Sequence, residues 1–186
     1  DTPSKKVYLQ PHIDGNNITF SLNHGKTHEN GWCQRGNLTC PCCGAVTPAP
    51  LVKEQFVRKV AGERLLAIIE EDENGKSYRL PSANELKFDI ATIDDSGRPT
   101  EAMPVTYSQA FPICTWGYKE WGDVYNNRQI RFLNSLVSNY QQLYLESAYS
   151  DEYARALYSY LAIFIDRTAI INTSVGRWHN KRETNE

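Results

Sequence analysis

The sequence lacks a basic excess. Its 20 lysines and arginines stand against 22 aspartates and glutamates, for a net charge of −2 and a pI of about 6.1. A free-standing nucleic-acid binder usually carries the opposite balance, so any grip on phosphate must come from a local patch or a neighbouring domain. No apolar run has the length of a membrane span, and Asp1-Thr2-Pro3-Ser4-Lys5-Lys6 has no signal-peptide apolar region. The cysteines are not spread as in a secreted disulfide framework: of five, four crowd between Cys33 and Cys43. That clustering reads as a metal site in a reducing cytoplasm. Nucleophile elbow, phosphate loop and Gly-rich dinucleotide turn are all absent, and with them the commonest hydrolase and nucleotide chemistries. Met103 is the single methionine, the chain starts at Asp1, and it stops on the polar Lys181-Arg182-Glu183-Thr184-Asn185-Glu186. These features suggest an excised internal segment.

What is present reads as an ordinary globular chain, with 40% hydrophobic and 23% charged residues over 186 positions. That length suffices for one domain or two small ones with a real core. The first part is β-rich: Lys6–Gln10 and Ile18–Leu22 flank Asp14-Gly15-Asn16-Asn17, a hairpin signal. A short helix is expected from Leu51 to about Val60, ended by Gly62. Leu65–Glu70 should pair with Ser77–Leu80 across Glu73-Asn74-Gly75. Ser82 with Glu85 three residues on is a capping-box signature for a helix of about ten residues. Gly97, Pro99, Pro104 and Pro112 mark a linker. Beyond it, Ile130, Leu133, Leu136, Tyr140 and Leu143 recur at helical spacing, as do Tyr153, Leu157, Tyr160 and Phe164. Tyr149-Ser150-Asp151 breaks the two helices, with Ser150 or Asp151 as N-cap. The expected fold class is α+β: a β-hairpin-rich part with a knuckle-like turn and short helices over 1–93, a linker over 94–115, and an antiparallel helical hairpin over 116–186.

Cys40-Pro41-Cys42-Cys43-Gly44 holds a C-x-x-C followed by glycine, the shape of a zinc-ribbon knuckle. Zinc needs four tetrahedral ligands, and a knuckle supplies two thiolates, here Cys40 and Cys43. Cys33 or Cys42 is a candidate third ligand and His12, His24, His28 or His179 a fourth, but no second spaced pair exists. The plainer reading is a half-site with free thiols.

The densest motif is Trp116-Gly117-Tyr118-Lys119-Glu120-Trp121-Gly122-Asp123, followed by Val124 to Gln129. A Trp-Gly pair sets a large aromatic surface beside a backbone that can turn sharply. Trp116, Tyr118, Trp121 and Tyr125 have rings that stack on nucleobases at about 1–3 kcal/mol each. Such aromatics more often pack between a helix and a neighbouring layer. Asp123 suits the positive end of a helix. Arg128 and Gln129 have the donor geometry for phosphate or a base edge, although an exposed arginine is also a common surface residue. Arg177-Trp178-His179-Asn180-Lys181-Arg182 is a basic tail that suits either phosphate or its own helix dipole. Asp94-Asp95 and Glu70-Glu71-Asp72-Glu73 sit in turn-like contexts and read as solvated charge rather than acid–base pairs.

Taken in order, these pieces resemble the zinc-ribbon-containing adenine-specific DNA methylases of bacteria and archaea. Lys5–Pro11 and Ile13-Asp14-Gly15 are similar to the family's opening strand, and Cys40–Gly44 to its CxxCG. Gly62-Glu63-Arg64-Leu65 and Tyr78-Arg79-Leu80-Pro81 are similar to its GERL and YRLP pieces. Trp121-Gly122-Asp123, Arg128-Gln129, Tyr160-Leu161, Asp166-Arg167 and Arg177-Trp178 follow in register. The resemblance spans essentially the whole chain. Where many relatives have a cysteine shortly before the final tryptophan, this chain has Ser174-Val175-Gly176.

The resemblance implies a segment lying between the family's upstream S-adenosylmethionine loop with its first cysteine pair and its downstream D-P-P-Y motif. Neither the loop nor D-P-P-Y occurs here, and both are needed to bind the methyl donor and the flipped adenine. The segment is therefore expected to be inactive alone: no catalytic or cofactor-binding residue, S-adenosylmethionine as the parent enzyme's cofactor, and zinc as the candidate metal. DNA recognition or scaffolding of the catalytic domain is its implied role, by analogy with target-recognition insertions. The expected partners are DNA, reached through the parent enzyme, and the remainder of the methyltransferase chain, with no membrane. Arg128, Gln129, Arg131 and Arg177 are the candidate DNA contacts, because the start of one antiparallel helix lies beside the end of the other. The plainer alternative is that they bond to the catalytic domain, or to Asp166 and Asp123. A free-standing zinc-ribbon adaptor that binds a protein partner is the competing reading of the chain.

Overall fold

The computed structural model describes residues 7–25, 31–87, 90–104, 112–146, 148–176, 178–179 and 184–185. The chain is mixed α+β, with antiparallel hairpins in the N-terminal half followed by two long packed helices. It divides into two compact units: Asp1–Phe88 with Thr115–Gly117, and Asp89–Cys114 with Tyr118–Glu186.

In the first unit, β1 (Val7–Asp14) and β2 (Asn17–His24) form a hairpin whose register runs from Val7 opposite His24 to Asp14 opposite Asn17. Gly15 turns it at φ +56°, a conformation glycine reaches without a Cβ penalty. Phe20 on β2 meets Trp32 at 6.5 Å, and Arg64 lies over the Phe20 ring while donating to the Ile18 carbonyl at 2.7 Å. Three short strands follow, β3 (Cys33–Gln34), β4 (Asn37–Thr39) and β5 (Val46–Thr47), paired in that order. The first helix, α1, spans Ala49–Val57, starting and ending a little earlier than its apolar pattern suggested. Pro48 is its N-cap, and Pro50 sits in the first turn, where the missing N–H is no loss. Asn37 accepts a bond from the Ala49 amide at 2.9 Å and so ties β4 to the helix start.

The second hairpin pairs β6 (Ile68–Asp72) with β7 (Gly75–Arg79), so Glu73-Asn74 make a two-residue turn. Ser82 and Glu85 form the expected capping box, with reciprocal bonds of 3.3 and 2.7 Å. The helix they cap, α2, covers only Ala83–Leu86, and a 3-10 turn at Ile90–Thr92 follows. Ile90, Thr92 and Ile93 are β-branched, which weakens a helix of the expected length.

In the second unit, α3 (Asn127–Glu146) and α4 (Asp151–Ile171) pack as an antiparallel pair, with Ser150 as the N-cap of α4. Tyr125 Oη donates to the Ala169 carbonyl at 3.4 Å near one end, and Tyr144 meets Tyr158 edge-on at 5.0 Å near the other. Among the described residues the buried ones are few: Met103, Gly122, Val124, Ile130, Ala154 and Thr168. All six belong to this unit. After α4, β8 (Trp178–His179) pairs with β9 (Thr184–Asn185). No helix among the described residues is long and apolar enough to cross a membrane.

Candidate functional site

The start of α3 is built by short-range chemistry. Asn126 is followed three residues later by Gln129, and the two cap each other: the Asn126 amide donates to Gln129 Oε1 at 2.8 Å and the Gln129 amide to Asn126 Oδ1 at 2.9 Å. This satisfies helix-start donors that would otherwise lack partners. Gln129 Oε1 also accepts from Ser174 Oγ at 2.9 Å, and the Ser174 amide donates to the Val124 carbonyl at 2.7 Å. The chain just past α4 is thereby fastened beside the start of α3. The N-x-x-Q signature was legible in the sequence, where Gln129 reads first as a donor for DNA.

Ahead of the cap, the Trp-Gly segment forms a 3-10 turn at Trp121–Val124. Asp123 accepts from the Lys119 amide at 2.8 Å and the Glu120 amide at 3.1 Å, so it caps this turn. The two glycines are needed for different reasons. Gly117 stands at φ +92°, and a Cβ there would lie 2.7 Å from Val57 Cα. Gly122 has no room for a Cβ against the Pro99 carbonyl and the Arg98 side chain. Trp116 packs edge-on against Phe56 at 5.6 Å with Lys53 over its face. Tyr125 is partly buried, and burial raises its phenol above the usual value.

Arg98 organises the turn. Its guanidinium donates to the Gly122 carbonyl at 2.5 Å, the Tyr125 carbonyl at 2.7 Å and Asn127 Oδ1 at 2.6 Å, and pairs with Asp95 at 2.8 Å. A planar five-donor fork suits several acceptors at fixed angles, which a lysine could not match. Nothing in sequence spacing marks Arg98, because its partners lie up to 29 positions away.

Arg128 and Arg131 are both exposed in the first turns of α3. Three positions apart, they share a helix face. Among the described residues neither forms an ion pair, with Asp123, Asp166 or any other acid. The charge of Arg131 helps to lower the Asp94 carboxyl, whose main cause is hydrogen bonding from the Ser96 amide and hydroxyl. Arg177, His28, Lys181 and Arg182 lie outside the described residues, as does the side chain of His179.

The knuckle closes as its sequence suggests. The Gly44 amide donates to the Cys40 carbonyl at 2.9 Å and the Cys40 amide to the Ala45 carbonyl at 2.8 Å. Amides of Cys43 and then Cys42 point at the Cys40 sulfur and, with the Cys43 thiol, hold Cys40 below the usual thiol value. Burial, followed by the neighbouring Cys40 charge, pushes Cys42 up. Cys33 is exposed on β3, and His12 bonds Ser21 at 2.8 Å. Among the described residues no group of three cysteine, histidine or acidic side chains is placed to hold a metal ion. The donors around Cys40 suit a thiolate, so Cys40 and Cys43 fit half of a thiolate metal site.

No protein-family model, curated protein or solved structure matches the chain.

Proposed function

We propose that this chain is a scaffolding and DNA-contacting segment of a cytoplasmic adenine-specific DNA methyltransferase, without catalysis of its own. The ordered motifs of its sequence motivate the reading, and the observation that carries it is the pair of exposed arginines on the first turns of α3. They have no ion-pair partner among the described residues. They stand beside the capped helix start, so the cationic groups and the positive end of the helix act together on an anion. Methyl donor and target adenine belong to the parent enzyme, and zinc, if held, uses Cys40 and Cys43 with ligands from that enzyme. The exposed apolar residues of α3 and α4 would equally serve a zinc-ribbon adaptor that binds a protein partner.

DNA binding separates the two readings. In the full-length enzyme, Arg128→Gln and Arg131→Gln are each expected to weaken duplex binding and to reduce the log–log salt slope by about 0.9. Fluorescence anisotropy across a salt series measures both. An unchanged slope with a lowered melting temperature would make the arginines structural and favour the adaptor.

A further inference from the structure

Between α3 and α4 runs an open groove of about 580 Å³. Val137, Tyr140 and Tyr144 line it from α3, and Tyr158, Ile165 and Asp166 from α4. Both sets recur at helical spacing, so each wall is one face of its helix. Asp166 is the single Asp, Glu, Lys, Arg or His among the lining residues, and among the described residues its carboxylate has no hydrogen bond or ion pair. Leu145, at the far end of the α3 wall, is 83% exposed.

We propose that this groove seats an α-helix of a partner, one whose apolar face carries a single lysine or arginine opposite Asp166. The proposal rests on the scaffolding reading only in treating the helical hairpin as a docking element. Two antiparallel helices with an apolar trough between them leave the third position of a bundle open, and a helix fills such a trough by ridges into grooves. The α3 wall from Val137 to Leu145 rises about 12 Å, enough for roughly two turns of the incoming helix.

Charge decides which helix. A carboxylate at the edge of an apolar trough, beside tyrosine rings, attracts a cation by Coulomb's law and by the ring quadrupoles. An acidic or neutral residue there would desolvate Asp166 without compensation. A second copy of the chain does carry a plausible complement, the exposed face Tyr160, Ile163, Phe164 and Arg167 of α4. By helical spacing that face lies on the opposite side of α4 from Tyr158, Ala162 and Ile165, so self-docking could not form a reciprocal two-fold dimer, and would run head to tail into a ring or a filament. The geometry therefore favours a different chain.

The probe is a phage-displayed library of amphipathic helical peptides of about 15 residues, the length at which isolated helices become marginally stable. One position within the apolar face is randomised, and selection is against the 186-residue chain. Selected peptides are expected to carry Lys or Arg at that position and to bind Asp166→Asn about fivefold more weakly. Asp166→Lys should instead favour Glu at the same position, a reversal that a merely structural role would not produce. Circular dichroism of each variant confirms that the helices persist. No binders, binders without basic preference, binding indifferent to Asp166→Asn, or concentration-dependent self-association that occludes the groove would each overturn the proposal. The experiment contains neither DNA nor methyl donor, so it fails or succeeds independently of the methyltransferase reading.

Discussion

Arg79 at the end of β7 stands between two carboxylates, reaching Glu70 at 2.7 Å across the hairpin and Glu85 by two bonds of 2.8 and 2.9 Å. The bidentate pair, together with the Ser82 amide, lowers the Glu85 carboxyl from 4.5 to about 2, and both acids raise Arg79. A carboxyl lowered in the folded state stabilises above its unfolded value and ceases to as pH falls through the folded one. The contribution of Glu85 is therefore complete above about 4.5 and lost by about 2. Glu85→Gln is expected to lower stability at pH 7 and to flatten the acid limb in that window, as denaturant titrations at several pH values would show. The side chains are about a third exposed or more, so solvent keeps the effect small. Cys40 and Cys42 are shifted in opposite directions, Cys40 down by amide donors and Cys42 up by burial. Iodoacetamide near neutral pH should alkylate Cys40 before Cys42, by mass mapping, and elemental analysis should find less than one tightly held zinc per chain. One zinc per chain would mean that Cys33, Cys42 or a histidine completes the shell.

At the scale of elements, the start of α3 is where structure and proposed chemistry compete. Gln129 uses its carbonyl oxygen for Asn126 and Ser174, so a change there mixes capping with any DNA effect. Glutamate keeps the acceptor and suits the first helical turn. Gln129→Glu should therefore leave the melting temperature unchanged or raised, while Gln129→Ala costs about 1 kcal/mol. If Gln129 also contacts DNA, the glutamate variant binds duplex less well although it is no less stable; equal binding assigns the residue to capping alone. Thermal melts and anisotropy on the same two variants distinguish the outcomes.

For the whole molecule, the notable quantity is how little is enclosed. Among the described residues the buried set is Met103, Gly122, Val124, Ile130, Ala154 and Thr168, while Tyr160, Ile163, Phe164, Leu143 and Leu145 are exposed along the two long helices. Exposed apolar side chains on both sides of α4 are surface that a partner could cover. Isothermal titration with S-adenosylmethionine is expected to show no micromolar site, because the proposed reading puts the cofactor loop outside this chain. A micromolar site in this chain would require a cofactor pocket of its own and would remove the scaffolding reading.

The sequence by itself determined the local features. The Asn16 and Asn74 turns, the Ser82 box, the knuckle and the amphipathic periods of α3 and α4 all follow from interactions spanning a few residues, where propensity and hydrogen-bond geometry act directly. Helix boundaries moved for local reasons, by a few residues at Pro48 and by more at α2, which stops at Leu86 instead of running about ten residues. Only the tertiary structure decided which long-range partners mattered. Arg98 reaches Asn127, Ser174 reaches Gln129, and Gly122 meets Pro99 at separations where chain entropy hides any pattern. The groove was hidden for a related reason: the helical period of α3 and α4 says nothing of how the two helices pack, and only that packing leaves Tyr140, Tyr144 and Tyr158 lining an open trough with Asp166 at its edge.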